Sequence, residues 1–100
     1  MNWIRITEVA NVPLREGRGV VVGGEEIAIF NLGDRFLAVQ NRCPHAGGPL
    51  ADGIVGGETV VCPLHGWKVC LTSGAAGPQS TACVATYPVR VENGIVLIQV

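Results

Sequence analysis

The sequence predicts an all-β fold, and three observations support this. Short runs rich in β-branched residues fill most of the 100-residue chain, as is typical of strands. The pairs Gly23-Gly24, Gly33-Asp34 and Asn93-Gly94 separate several of these runs and suit two-residue hairpin turns. No helical periodicity of useful length competes with the strand pattern. Many short strands at such spacing favour a sandwich or a barrel.

Eight strands are predicted in chain order, each a β-branched run bounded by turn residues. Their predicted ranges are Trp3 to Ile6, Gly19 to Val22, Ile27 to Asn31, Phe36 to Gln40, Thr59 to Cys62, Lys68 to Leu71, Val84 to Glu92 and Ile95 to Val100. Two stretches rich in turn residues, 41 to 57 and 72 to 80, are expected to contain no regular element. Both are predicted to be loops carried on the β scaffold.

Length, composition and charge limit the possible functions. With 48% hydrophobic and 15% charged residues, the chain is expected to form a single domain, residues 1–100, with its own core. The net charge of -1 and the scattered Lys and Arg residues argue against nucleic acid as a partner. No apolar run reaches the length of a membrane span and no signal peptide is evident, so a soluble cytoplasmic protein is expected.

Two short loops each combine one Cys and one His. The first reads Cys43-Pro44-His45 and, after sixteen residues, the second reads Cys62-Pro63-Leu64-His65. Glycine follows in both loops and permits backbone conformations closed to other residues, while proline stiffens the chain. Loops of this design can hold two ligands rigidly, so Cys43, His45, Cys62 and His65 are the predicted metal ligands.

Two metal centres fit two thiolates and two imidazoles: a tetrahedral zinc ion or a 2Fe-2S cluster. Zinc modules usually place two Cys together, separated by two to four residues, whereas each loop here mixes the ligand types. The spacing therefore disfavours zinc. With an iron–sulfur cluster, Cys43 and Cys62 would bind one iron, and His45 and His65 the other.

The paired motif C-x-H and C-x-x-H resembles the Rieske family over nearly the whole chain. Further segments similar to soluble bacterial members of that family are Gly47-Gly48-Pro49-Leu50, Val61-Cys62-Pro63-Leu64-His65-Gly66-Trp67 and Thr86-Tyr87-Pro88-Val89. The resemblance implies an antiparallel β-sandwich with an inserted cluster-binding subdomain, here about residues 41–72. It also implies one 2Fe-2S cluster with the four predicted ligands.

Within the family, the first loop and the Thr86 to Val89 segment are most similar to the small subunit of NAD(P)H-dependent nitrite reductase. Rieske ferredoxins of ring-hydroxylating dioxygenases come next. The resemblance thus implies one-electron transfer to or from a protein redox partner. That partner would be a large flavin and sirohaem reductase subunit, in nitrate assimilation, or a dioxygenase and its reductase. No catalytic constellation is evident in the chain itself, so an electron-transfer subunit of an oxidoreductase is expected.

Rieske proteins of cytochrome bc complexes carry an additional Cys in each loop, joined as a disulfide, and a Ser after the second His-Gly. Gly48, Leu64 and Trp67 stand at those positions here. Because hydrogen bonds to cluster sulfur raise the reduction potential, loss of that hydroxyl predicts a low-potential member of the family.

Other residues of the sequence admit simpler explanations. Cys70 and Cys83 lie outside the ligand pattern and are expected to be structural thiols, with a functional thiol or a disulfide between them as the lesser alternative. Trp67 is expected either to pack in the core or to cover the cluster. An apolar docking patch around the His edges is predicted from loop residues, namely Pro44, Ala46, Pro49, Leu50 and Leu64.

Overall fold

The computed structural model describes residues 2–44, 47–64, 66–77, 79 and 82–100. Within these residues the chain forms twelve β-strands and two short 3₁₀ turns, Val9–Asn11 and Leu50–Asp52. The strands are β1 (Trp3–Glu8), β2 (Gly17–Val22), β3 (Glu25–Asn31), β4 (Phe36–Gln40), β5 (Ile54–Gly56), β6 (Thr59–Val61), β7 (Lys68–Cys70), β8 (Ala75–Ala76), β9 (Ala82–Cys83), β10 (Thr86–Tyr87), β11 (Val89–Glu92) and β12 (Ile95–Gln99). The predicted all-β class is confirmed.

The strands form three antiparallel sheets. The first has the order β1-β12-β11, the second β10-β4-β3-β2 and the third β5-β6-β7-β8-β9. In the described part of the chain, no helix is long and apolar enough to cross a membrane.

Strand β3 is buried on both of its faces, which makes the second sheet the middle layer. Ile27 and Ile29 belong to a core shared with Val96 and Ile98 of the first sheet. Ala28 and Phe30, on the opposite face, belong to a core shared with residues of the third sheet. A strand buried on both faces is expected to be apolar throughout, and Ile27 to Phe30 is such a run. Each large side chain buried there contributes about 1.5–3 kcal/mol to folding.

The third sheet is an insertion between two neighbouring strands of the second. Strand β10 pairs directly with β4, through Thr86 opposite Val39 and Tyr87 opposite Ala38, although more than forty residues separate them along the chain. The intervening chain forms β5 to β9, whose strands pair in consecutive order. This third sheet continues to Cys83 and so extends past the predicted boundary at residue 72. The assignment of 41–72 as a cluster-binding segment remains a prediction.

The inserted sheet is attached to the middle sheet at two places. At the first, the 3₁₀ turn lies on β2: a Cβ added to Gly17 would lie 2.8 Å from the Ala51 carbonyl oxygen, and the Asn41 side chain accepts a 2.9 Å hydrogen bond from the Ala51 N–H. At the second, the Arg35 guanidinium pairs with the Glu58 carboxylate. These contacts add to the packing in the core that the two sheets share.

The structure corrects the prediction that two stretches contain no regular element. Within 41–57 the chain forms the 3₁₀ turn and β5, and within 72–80 it forms β8. Both strands are very short, and each is held by pairing: β5 with β6, and β8 with β7 and β9. Their stability depends on the neighbouring strands rather than on local composition, as is common for strands.

The predicted single strand from Val84 to Glu92 is also wrong. Pro88 interrupts it, because proline has no N–H to donate to a strand ladder. Before it, β10 pairs with β4 in the second sheet, and after it β11 pairs with β12 in the first. The Pro88 carbonyl accepts a 3.0 Å hydrogen bond from the Gln99 N–H, so the chain changes sheets at this residue.

Cys70 and Cys83 lie in the third sheet, on either side of Ala75. Ala75 pairs with Cys83 on one side. On its other side Ala75 lies opposite Cys70, because Val69 pairs with Ala76 in the antiparallel ladder. Cys70 in turn pairs with Thr59. Two strand spacings amount to about 9–10 Å, beyond the roughly 7 Å limit for a disulfide. No disulfide is formed by any of the four cysteines, all of which the structure describes.

The Cys70 thiol is unusually acidic for its position. Side-chain hydrogen bonds from Ser73 and from Thr72 lower the pKa of Cys70 to about 6, and the Cys70 Sγ to Thr72 Oγ1 distance is 3.1 Å. Hydrogen bonds to the charged form stabilise a thiolate. The Cys70 thiol therefore ionises at lower pH than an ordinary cysteine.

We expect Gly53→Ala to destabilise the fold much more than Gly56→Ala. A Cβ at Gly53 would lie 2.3 Å from the Val61 carbonyl oxygen, whereas a Cβ at Gly56 meets nothing within 4 Å. Such overpacking costs about 1–3 kcal/mol, which lowers Tm by about 5 °C or more for a domain of this size. Thermal unfolding at equal metal content measures this, and equal Tm values for the two variants would contradict the packing described.

We expect alkylation of Cys70 by iodoacetamide to reach half its maximal rate near pH 6, since the thiolate is the reacting form. The measurement is mass spectrometry of pulse-labelled Cys83→Ala protein, in which Cys70 is the only thiol left outside the two cysteine loops. Replacing both hydroxyls, in Thr72→Val/Ser73→Ala, should move the midpoint to higher pH. A midpoint unchanged by that double substitution would show that the two hydroxyl groups do not cause the low pKa of Cys70.

Candidate metal centre

Two cysteines are buried, one after a strand of the second sheet and the other after a strand of the third. Cys43 follows β4, and Cys62 lies between β6 and β7. Their exposed fractions are 1% and 2%, and both belong to the core between the second and third sheets. The predicted sulfur ligands are therefore brought into the same apolar interior from two different loops.

The first cysteine loop is closed by two backbone hydrogen bonds. The Cys43 N–H donates to the Gly48 carbonyl over 2.8 Å, and the Gly47 N–H donates to the Cys43 carbonyl, also over 2.8 Å. Gly47 has a φ of +72°, a conformation that favours glycine. The cysteine is thus fixed at both its N–H and its carbonyl.

The second cysteine loop has the same hydrogen-bond frame. The Cys62 N–H donates to the Trp67 carbonyl over 2.7 Å, and the Gly66 N–H donates to the Cys62 carbonyl over 3.1 Å. Gly66 has a φ of +73°. In both loops the residue four positions after the cysteine is a glycine with positive φ, and the residue five positions after it accepts the cysteine N–H. The repeated Cys-Pro and Gly spacing in the sequence is therefore repeated in the backbone.

The two loops contact each other at Gly48 and Leu64. A Cβ added to Gly48 would lie 2.8 Å from Leu64 Cδ1 and 3.6 Å from Cys62 Sγ. These two residues are where the resemblance places the additional cysteines of bc-type proteins, and a residue larger than glycine would push the second loop away. Gly48 lets the first loop approach the second cysteine.

The two predicted nitrogen ligands, His45 and His65, lie outside the described residues, as does Ala46. Their assignment rests on their spacing from the two buried cysteines. No group of three or more potential metal ligands occurs among the residues that the structure does describe.

Trp67 packs against the core that contains both cysteines. A Cβ added to Gly77 would lie 2.6 Å from the Trp67 ring, so the ring lies against the chain that follows β8. Trp67 is half-buried and packs in the core, which is one of the two roles expected for it; the other, covering the cluster, stays a prediction. No sequence pattern predicts this contact of Gly77 with the Trp67 ring.

Of the residues predicted to form a docking patch, three are exposed and one is buried, while Ala46 lies outside the described residues and the docking role itself stays a prediction. Pro44, Pro49 and Leu64 are exposed, and Leu64 is 55% exposed despite its size. Leu50 is 0% exposed, because the 3₁₀ turn directs it into the core. Leu50 therefore belongs to the interior and not to a surface patch.

The residues present fit a metal–sulfur group. No buried polar or charged side chain accompanies the two thiols among the described residues, and an isolated thiolate in an apolar interior is costly. Coordination to a metal compensates the thiolate charge, and the backbone frames hold the two cysteines rigidly.

Comparison with known proteins agrees with this arrangement. The Rieske 2Fe-2S domain family matches residues 2–88. The 3-phenylpropionate/cinnamic acid dioxygenase ferredoxin subunit of Escherichia coli (strain K12) is 39% identical over 101 residues, covering 98% of this chain and 93% of that protein.

Two solved structures show the same fold over nearly their whole length. The Sphingomonas yanoikuyae B1 ferredoxin is 31% identical with a TM-score of 0.87, covering 98% of both chains. A protein described as an NADH-dependent nitrite reductase small subunit from Mycobacterium tuberculosis is 28% identical with a TM-score of 0.89, covering 97% of this chain and 93% of that one. With two buried cysteines in matched loops and a family match across most of its length, the chain belongs to the Rieske 2Fe-2S domain family, whose members bind one 2Fe-2S cluster.

Proposed function

We propose that the chain transfers single electrons through one 2Fe-2S cluster held by Cys43, His45, Cys62 and His65. The observation that supports this most directly is the pair of buried cysteines in loops with the same hydrogen-bond frame. Each of those loops carries a histidine two or three residues after its cysteine. Such a mixed ligand set is characteristic of Rieske centres.

The two ligand types have different tasks. Cys43 and Cys62 lie in the core and would bind the inner iron, where an apolar environment limits access of water. His45 and His65 would bind the outer iron and present their ring edges to a partner. When bound, the cluster supplies one-electron chemistry. The backbone hydrogen bonds of the two loops would hold the cysteine ligands in place, and the apolar core would keep water from them.

We further propose that the chain is a ferredoxin that carries electrons from a reductase to a ring-hydroxylating oxygenase. The relative at 39% identity is a dioxygenase ferredoxin subunit, and the ferredoxin structure is more similar in sequence than the nitrite reductase one, at 31% against 28%. This reverses the order expected from the first loop and the Thr86 to Val89 segment alone.

The small subunit of a nitrite reductase is the second candidate. Its support is the TM-score of 0.89 and 28% identity of the Mycobacterium tuberculosis protein, a structural similarity as high as that of the ferredoxins. In that case the partner would be a large flavin and sirohaem subunit, and the role would lie in nitrate assimilation. A cytoplasmic location is proposed for either function.

We expect the purified protein to contain two irons and two labile sulfides per chain, with no stoichiometric zinc. Alanine at Cys43, His45, Cys62 or His65 should lower the iron content by more than about tenfold, because removing even a hydrogen-bond partner of a ligand costs metal sites about tenfold in affinity. Iron, sulfide and zinc analysis provides the measurement.

The matched controls are Cys70→Ala and Cys83→Ala, which remove thiols outside the two cysteine loops and should retain the cluster. Loss of iron in either control, or retention in a variant of the four proposed ligands, would show that the ligand assignment is wrong.

We expect the chain to replace the ferredoxin subunit of the Escherichia coli phenylpropionate dioxygenase in a reconstituted system with that enzyme's oxygenase and reductase. NADH consumption coupled to product formation is the readout, and Cys62→Ala protein is the inactive control. In parallel, the chain is added to a nitrite reductase large subunit that lacks its small subunit. Restored nitrite reduction without restored hydroxylation would overturn the ferredoxin proposal in favour of the second candidate.

A further inference from the structure

Two positively charged side chains flank the two cysteine loops. Arg42 directly precedes Cys43, and Lys68 directly follows Trp67. Both side chains are exposed. Neither forms an ion pair with any of the described residues, whereas Arg18, Arg35 and Arg90 each pair with a carboxylate.

The loops themselves carry no carboxylate. Residues 41–50 and 61–69 contain Arg42 and Lys68 but no Asp or Glu, a formal charge of +2 with neutral His. Because the net charge of the chain is -1, the rest of the chain carries -3. The two cysteine-loop segments are therefore positively charged in a chain that is negative overall.

Arg42 lies over the first loop. Its Nε would be 3.7 Å from a Cβ added to Gly47, and it lines an open depression of about 470 Å³ with Cys43, Pro44 and Gly47. On its other side, Arg42 shares a depression of about 300 Å³ with Glu25 and Glu26. No carboxylate oxygen of the described residues comes within 4.0 Å of the Arg42 guanidinium. Its N–H groups can therefore pair with a carboxylate of a partner.

We propose that Arg42 and Lys68 form a cationic rim beside the exposed apolar residues Pro44 and Leu64, and that this rim selects a redox partner with an acidic docking face. The inference rests on the proposed function of electron transfer to a protein. An apolar centre with a polar, charged rim is the usual composition of a transient interface. Complementary charge in such a rim mainly accelerates association and excludes partners of the wrong sign.

The local charge can be tested without the physiological partner, by stopped-flow oxidation of the reduced holoprotein. Each reaction passes one electron from the reduced cluster to a small complex, either the anion ferricyanide or the cation tris(phenanthroline)cobalt(III). Surface charges interact over about 30 Å at 0.01 M salt but over only about 10 Å at 0.1 M, because added salt screens them. The rate with ferricyanide should fall as salt increases, relative to the rate with the cobalt complex.

Reversing either charge, in Arg42→Glu or Lys68→Glu, should lower the ferricyanide rate at low salt by about fivefold and raise the cobalt rate. Arg5→Glu is the matched control, because Arg5 lies on β1 of the first sheet, on the far side of the middle sheet, and also forms no ion pair with described residues. It changes the net charge equally and should leave both rates within about twofold of the original. If a charge-reversal variant fails to fold, Arg42→Gln or Lys68→Gln replaces it. These neutral variants should change both rates in the same directions but by less.

The preference for an acidic protein is tested with an acidic plastocyanin and a basic cytochrome c as electron acceptors. Arg42→Glu/Lys68→Glu should slow reduction of the plastocyanin and accelerate that of the cytochrome. Equal effects of Arg5→Glu and Arg42→Glu, or the opposite order of the two acceptors, would overturn the proposal. These outcomes do not depend on the oxygenase reconstitution, so failure of the ferredoxin proposal can be distinguished from failure of this one.

Discussion

The structure depends on the burial of two cysteine thiols in one apolar core. Cys43 and Cys62 are nearly inaccessible, and no buried polar or charged side chain accompanies them among the described residues. An apolar interior offers little to compensate the charge of a thiolate. Binding of a metal–sulfur cluster resolves this, because metal coordination takes up the thiolate charge. The hydrogen-bond frames of the two loops would then keep both proposed ligands in place.

The topology explains how two loops distant in sequence come together. Because β10 pairs with β4, the inserted sheet leaves and rejoins the middle sheet at neighbouring strands. The insertion is fixed from below by the Gly17 contact and the Asn41 hydrogen bond. The Arg35 pair with Glu58 connects two surface turns and is exposed, so it contributes little stability. Packing against Phe30 and its neighbours carries most of the attachment.

The parts of the fold that were predictable are those encoded locally. The apolar run from Ile27 to Phe30 predicts a buried strand, and the repeated spacing of the cysteine loops predicts their equivalent backbones. Strands β5 and β8 were missed because their stability comes from pairing partners that sequence patterns do not reveal. Leu50 was misplaced for a similar reason, since only the 3₁₀ turn determines which way it points. The proposed cationic rim was not apparent either, because isolated Arg and Lys residues have no pattern until the fold brings their loops together.

The most direct test of the account is nitrogen hyperfine spectroscopy of the reduced holoprotein labelled with ¹⁵N-histidine. The chain contains two histidines, so every labelled signal arises from His45 or His65. We predict two strongly coupled nitrogens that change on labelling, with no comparable coupling from unlabelled nitrogen. A reduced cluster without histidine coupling, or a protein that contains one zinc and no sulfide, would contradict the proposed centre.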